Sequence, residues 1–238
     1  MIGAVLFDGD QTLWDFRRVM TFALEAALEE LRTARPGAVT AAMTIADFGA
    51  DRDAVAQELA GIEFNLSRLR QLGFARTLER LVPDDPDGIG PLADQLTATY
   101  FHHRDLDPAL FEDTLPCLDI LMAQYRLGLL SNGSRLPQTI GLAHYFETVV
   151  FAQDHQVAKP DRGLFQVVEQ RLNVDPEHCV LVGDHPLNDV VGAKRSGWRA
   201  VWVDREGDGA YVCPDGCHEE PDAVITSLAQ LPEVLRAW

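Results

Sequence analysis

Residues 4–14, Ala4-Val-Leu-Phe-Asp8-Gly-Asp10-Gln-Thr12-Leu-Trp14, decide the architecture. Four apolar residues in unbroken succession read as a short strand buried on both faces, the kind that a parallel sheet requires. At its carboxyl end Asp8, Asp10 and Thr12 alternate, and residues of these types can hold a hard cation or attack an electrophile. Gln11 is the odd member, standing where a tight loop favours glycine.

The chain around this stretch changes period twice. From about residue 16 to residue 104 the spacing is helical: FALEAALEELR sets Phe22, Leu24, Ala27, Leu28 and Leu31 on one face, and DAVAQELAG and LSRLRQLGFARTLERLV repeat it. The prolines, glycines and acids of residues 82–91 read as a loop. Beyond Pro108 a helix over ALFEDTLPCLDILMAQY precedes strands in RLGLLS, VVFAQD, HCVLVGD, RAVWVD and DAVIT, with helices in DRGLFQVVEQRLN and NDVVGAKRSG. Alternating strand and helix predict an α/β fold: a three-layer α/β/α, Rossmann-like core with a mostly parallel sheet. Residues 1–15 and 105–238 form that core, and residues 16–104 form a small inserted α-helical domain. No internal repeat or low-complexity segment interrupts this plan.

Composition narrows the function classes. The 238 residues are 47% hydrophobic, enough for a substantial core. A net charge of −17 repels nucleic acid and anionic membrane surfaces, so neither is expected as a partner. No apolar run approaches the roughly 20 residues of a membrane span, and MIGAVLFDGD meets acid too early for a secretory signal. A cytoplasmic location is expected. The four cysteines are too few and too scattered for a disulfide framework, so reduced thiols are expected. Lysine is scarce: only Lys159 and Lys194 occur, against 20 basic residues in all.

Four polar clusters close four of the strands. They are Asp8 with Asp10, Ser131-Asn132-Gly133, Lys159-Pro160, and Gly183-Asp184 with Asn188-Asp189. Each alone is ordinary turn or cap chemistry. In a parallel sheet all four converge on one edge, where clustered carboxylates repel one another unless a cation compensates. Mg²⁺ suits such a site because it takes oxygen ligands and pairs with phosphate. Ser131 and Lys159 supply the hydroxyl and the fixed positive charge that a phosphoryl group needs.

Together these motifs resemble the haloacid dehalogenase superfamily of hydrolases. Its DxDxT motif is matched by Asp8, Asp10 and Thr12, its strand-ending Ser or Thr by Ser131, its Lys by Lys159, and its GD followed by ND by Asp184 and Asp189. The resemblance spans nearly the whole chain, with PDAVITSLAQLPEVL like the family's last strand and helix. It implies a helical cap closing over the site, Asp8 as the nucleophile that forms an aspartyl-phosphate, and Asp10 as general acid and base. It also implies Mg²⁺ held by Asp8, the Asp10 carbonyl and Asp184, phosphate bound by Ser131, Asn132 and Lys159, and support from Thr12 and Asp189. Dehalogenases of the family lack the second acid, so Asp10 favours phosphate esters. Phosphonate hydrolases use a cap lysine, and no lysine precedes Lys159.

The implied activity is a Mg²⁺-dependent phosphatase acting on a small phosphorylated metabolite. A sugar phosphomutase of the same fold and a non-catalytic phosphate-binding or signalling module remain as alternatives. The sequence leaves the oligomeric state and the substrate open. Cys213, Cys217 and His218 invite a zinc reading against that of an ordinary loop with free thiols. His102 and His103 read as a helix end, His185 as a neighbour of the leaving group, and Trp14 and Phe16 as packing where the insert begins. Arg17 and Arg18 stand near enough to that junction to meet an anionic substrate.

Overall fold

The computed structural model describes residues 1–59, 61–81, 85–207, 211–213 and 216–238. It divides into two compact units, Met1–Phe16 with Ala109–Trp238, and Arg17–Pro108.

The first unit is built on six parallel strands: β1 (Ala4–Phe7), β2 (Arg126–Ser131), β3 (Thr148–Phe151), β4 (Cys179–Gly183), β5 (Arg199–Val203) and β6 (Ala223–Ile225). Their order across the sheet is β3-β2-β1-β4-β5-β6. All four residues of β1 are fully buried, as the unbroken apolar run requires. Successive side chains point to opposite faces. Val5, Phe7, Leu129, Val180, Val182, Val201 and Val203 join one core with Leu118, Leu121, Leu231 and Leu235 of the helices Thr114–Leu121 and Leu231–Arg236. Ala4, Leu6 and Leu181 are equally buried on the alternate face. There the helix Arg162–Leu172 carries Phe165 edge-on to Trp198, ring centroids 5.1 Å apart. Each large side chain so buried contributes roughly 1.5–3 kcal/mol.

The second unit contains α1 (Phe16–Ala34, entered from the first unit), α2 (Ile45–Glu58), α3 (Leu66–Leu81) and α4 (Pro86–Leu106). It has its own core of Leu24, Leu28, Leu31, Phe48, Phe74, Leu78, Leu96 and Tyr100. Among the described residues no helix is long and apolar enough to cross a membrane.

Several local expectations are corrected. Phe22 is 47% exposed, its ring edge-on to His103, because the buried stripe of α1 runs through Val19, Ala23, Leu24, Ala27, Leu28 and Leu31. The expected loop at 82–91 is helical from Pro86, and its residues 82–84 lie outside the described ones. Asp85 caps that helix by accepting from the Gly88 N–H, and Pro86 fits the first turn because its missing N–H costs nothing there. The expected helix from Ala109 starts only at Thr114, since Ala109 has φ 47° and Leu110 bridges to Trp14. In place of a regular helix over 188–197, a wide π-type stretch Pro186–Val191 leads into Gly192–Arg195.

Candidate functional site

The sheet order places the site. From β1 the chain runs outward through β2 and β3, then returns to the other side of β1 as β4. That reversal opens a crevice beyond the carboxyl ends of β1 and β4, where open α/β sheets bind ligands. Asp8 directly follows β1, Ser131 ends β2, and Asp184 directly follows β4. One pocket is lined by Asp8, Asp10, Gln11, Ser131, Asn132, Gly133, Lys159, Asp184, His185, Asn188 and Asp189. Of the residues that the motifs pointed to, all but Thr12 line it.

Lys159 stands at its centre, with 3% exposure. Its Nζ donates to Asp8 Oδ1 at 2.7 Å and to Asp189 Oδ1 at 2.7 Å. Asn132 fixes the lysine main chain from both sides: its Nδ2 donates to the Lys159 carbonyl at 3.0 Å and its Oδ1 accepts from the Lys159 N–H at 2.8 Å. The Asn132 amide is therefore committed to holding the lysine. Asp189 Oδ2 accepts from the His185 N–H at 2.9 Å, and a side chain at Gly183 would overlap the Asp189 carboxylate. Ser131 Oγ accepts from the Gly133 N–H at 3.0 Å. A Cβ on Gly133 would lie 2.7 Å from Asp10 Oδ2, so glycine there lets the two strand ends close on each other.

Two contacts were not legible in the motifs. Trp14 Nε1 donates to Asp10 Oδ1 at 2.7 Å, so the residue read as packing also orients a carboxylate. The sequence held a signal for this, since the indole is the one apolar-looking side chain of the stretch that carries a donor. Arg205 Nη2 donates to the Thr12 carbonyl at 2.6 Å, across a separation no local pattern reveals. Thr12 itself is fully buried, its hydroxyl without a hydrogen-bond partner among the described residues. His185 accepts on Nδ1 from the Leu187 and Asn188 N–H groups at 3.2 Å, which makes it a helix cap.

The electrostatics follow from burial. Desolvation pushes the Asp8 carboxyl well above the usual range against the pull of Lys159, and Asp189, Asp184 and Asp10 push the same way. Asp184 is raised to about 7, by burial first and by the Asp189 charge next. Burial alone would lower Lys159, but Asp189 and Asp8 outweigh it and its pKa is raised. A lysine that stays charged among carboxylates that resist ionisation marks a cluster short of positive charge. Asp8, Asp184 and Asp189 each offer an oxygen within 4.8 Å of the others. Asp189 is already engaged by Lys159 and by the His185 N–H, so Asp8 and Asp184 are the oxygens available to a cation. Such an all-oxygen, anionic donor set fits a hard divalent ion such as Mg²⁺.

The remaining sequence candidates lie elsewhere. Cys213 and Cys217 group with Glu219, while Pro214 and Asp215 lie outside the described residues. His102 and His103 stand edge-on, ring centroids 5.2 Å apart, near the end of α4. Arg18 pairs with Asp107 at 2.7 Å on an exposed surface.

A doubly wound parallel sheet with a cluster of acids and a buried lysine at its switch point defines an α/β protein whose polar pocket lies where such sheets bind ligands. The model of haloacid dehalogenase-like hydrolases matches residues 2–197, and the chain belongs to that family. It is 33% identical over 163 residues to the phosphoserine phosphatase of Thermus thermophilus, covering 66% of this chain and 64% of that one. It is 29% identical to the 5-amino-6-(5-phospho-D-ribitylamino)uracil phosphatase of Escherichia coli, covering 98% of this chain and 96% of the relative. Among solved structures, a 2-haloacid dehalogenase from Pseudomonas syringae pv. tomato superposes with a TM-score of 0.83 at 34% identity, over 100% of both chains.

Proposed function

We propose that the chain is a Mg²⁺-dependent phosphoric monoester hydrolase of small phosphorylated metabolites, with Asp8 as its nucleophile. The observation that carries this reading is Lys159 Nζ, buried and shared at 2.7 Å between Asp8 and Asp189 in the pocket that also holds Asp10 and Ser131. Asp8 and Asp184 would hold Mg²⁺, which would supply the positive charge to keep both ionised and to offset charge on the phosphoryl oxygens. Asp8 attacks phosphorus and becomes an aspartyl-phosphate. Asp10, oriented by Trp14, gives a proton to the departing alkoxide and takes one from water in the second step. Ser131 and Lys159 bind the phosphoryl oxygens, and Asp189 and Asn132 keep Lys159 in place.

The dehalogenase likeness sets a second reading, and Asp10 separates the two. Halide leaves as a stable anion without a proton, whereas an alkoxide needs an acid, which Asp10 provides. The named phosphatase relatives favour the same choice. Purified protein is expected to hydrolyse an aryl phosphate only with Mg²⁺, and Asp8→Asn to lower kcat about a thousandfold or more, roughly 4 kcal/mol of barrier. Halide release from 2-chloropropionate exceeding phosphate release would overturn the reading in favour of dehalogenation. Discharge of trapped phosphoenzyme to sugar phosphates in preference to water would favour a mutase.

A further inference from the structure

The four cysteines fall into two environments. Cys117 and Cys179 are buried, and burial pushes both thiols up to about 12. Cys213 and Cys217 are partly exposed, and their sulfurs lie within 4.8 Å of each other and of a Glu219 oxygen. The groups around them are unequal. Arg195 Nη2 donates to Cys217 Sγ at 3.5 Å, whereas Cys213 Sγ donates to the Glu219 carbonyl at 3.4 Å. One sulfur thus faces a guanidinium and the other a carbonyl oxygen.

A metal would compete for the same groups, but the third ligand is taken. Arg195 Nε binds Glu219 Oε1 at 2.7 Å, the His218 N–H binds Oε2 at 3.0 Å, and these bonds hold the Glu219 carboxyl down to about 2. A fixed guanidinium stands where a divalent ion's charge would go. The two sulfurs are left to each other.

We propose that Cys213 and Cys217 form a peroxide-sensitive dithiol that closes to an intrachain disulfide. The Cys217 thiolate attacks one oxygen of a hydroperoxide, the O–O bond breaks, and the departing hydroxide takes a proton to leave as water. Cys213 sulfur then attacks the Cys217 sulfenic acid. The S–S bond forms, the S–O bond breaks, and the leaving hydroxide takes the Cys213 proton to give a second water. Two thiols lose two electrons and hydrogen peroxide becomes two waters. Cys117 and Cys179 serve as unreactive internal references.

The test is peptide mass mapping of the full chain after hydrogen peroxide, followed by alkylation in denaturant. The expected result is one cross-link of Cys213 to Cys217 that dithiothreitol reverses, with Cys117 and Cys179 alkylated throughout. In Cys213→Ser a dimedone-type probe is expected to trap sulfenic acid on Cys217, and in Cys217→Ser to trap several-fold less at Cys213. Full alkylation of Cys213 and Cys217 after peroxide, cross-links to Cys117 or Cys179, or one tightly bound zinc ion per chain shielding the pair would overturn the proposal.

Discussion

At the scale of single residues, Gln11 shows what the first loop costs. Its φ of 60° is left-handed, so the turn does need the conformation that glycine adopts freely, and the chain tolerates glutamine there. Left-handed geometry costs an ordinary residue roughly 1–2 kcal/mol, offset in part by the greater freedom glycine loses on folding. Gln11→Gly is expected to raise stability by less than about 1 kcal/mol, a melting shift of a few degrees. Mg²⁺-dependent turnover should stay within about tenfold, or roughly 1.4 kcal/mol of barrier. A loss like that of Asp8→Asn would give Gln11 a chemical role. Trp14 is the converse case, a residue with an ordinary packing site and a specific donor. With its 2.7 Å bond to Asp10, it acts as a positioning residue on the proposed mechanism. Hydrogen bonds to charged groups are worth about 1.5–3 kcal/mol, so Trp14→Phe should lower kcat about tenfold or more and leave KM within about twofold. Steady-state kinetics on a variant that melts as a folded protein decide it; an equal rise in KM at constant kcat would point to substrate binding.

At the scale of elements, Asp113 ties together pieces that lie far apart in sequence. Its Oδ2 accepts from Arg205 Nη1 at 2.7 Å, Ser227 Oγ at 2.7 Å and the Leu228 N–H at 2.8 Å. Arg205 in turn holds the Thr12 carbonyl and lies 4.0 Å over the Phe111 ring. The motif loop, the start of Thr114–Leu121 and the turn after β6 thus share one ion pair. Burial raises the Asp113 carboxyl, but the bonds from Arg205, Ser227 and Leu228 outweigh it and the net pKa is lowered. A lowered folded pKa means stability that is present above the ordinary carboxylate value of 3.8 and is lost as pH falls below it. Asp113→Asn should therefore cost about 2–3 kcal/mol at pH 7, by leaving Arg205 without its partner charge. Its melting deficit should shrink as pH falls below about 4, where the carboxyl of the unfolded wild-type chain takes up a proton before the folded one does. A deficit that is the same at both pH values would assign the effect to shape alone. None of this network was legible in the sequence, because its members are joined only by folding. By contrast Asp8, Ser131, Lys159 and Asp184 could be placed, since apolar runs mark the strand ends and a parallel sheet brings those ends to one edge. Helix starts were less legible. The Asp85-Pro86 pair was a usable cap signal, but it was masked by the prolines and glycines around it.

At the scale of the whole molecule, 37 acidic residues against 20 basic ones leave little positive charge to spare, and the switch point concentrates that shortage. Without a cation, Asp184 titrates near 7, from burial first and the Asp189 charge second, and Asp8 is raised in the same direction. A carboxyl whose folded pKa is raised contributes stability that is complete below its unfolded value and is lost as pH rises through the folded one. For Asp184 that window runs from 3.8 to about 7. Metal-free protein should therefore grow less stable across it, as the folded state surrenders protons the unfolded chain has already released. A divalent ion binds only the ionised carboxylates, so protons compete with it over the same interval. The melting increment produced by Mg²⁺ should be small near pH 5 and large near pH 8, where an ion at about a hundred times its Kd adds roughly 2.7 kcal/mol. Chelation should abolish the increment at pH 8, and Asp184→Asn should remove most of it while the metal-free protein becomes more stable at that pH. Thermal unfolding with and without Mg²⁺ at both pH values measures this. An increment of equal size at pH 5 and pH 8 would mean that the ion binds outside the cluster of Asp8 and Asp184.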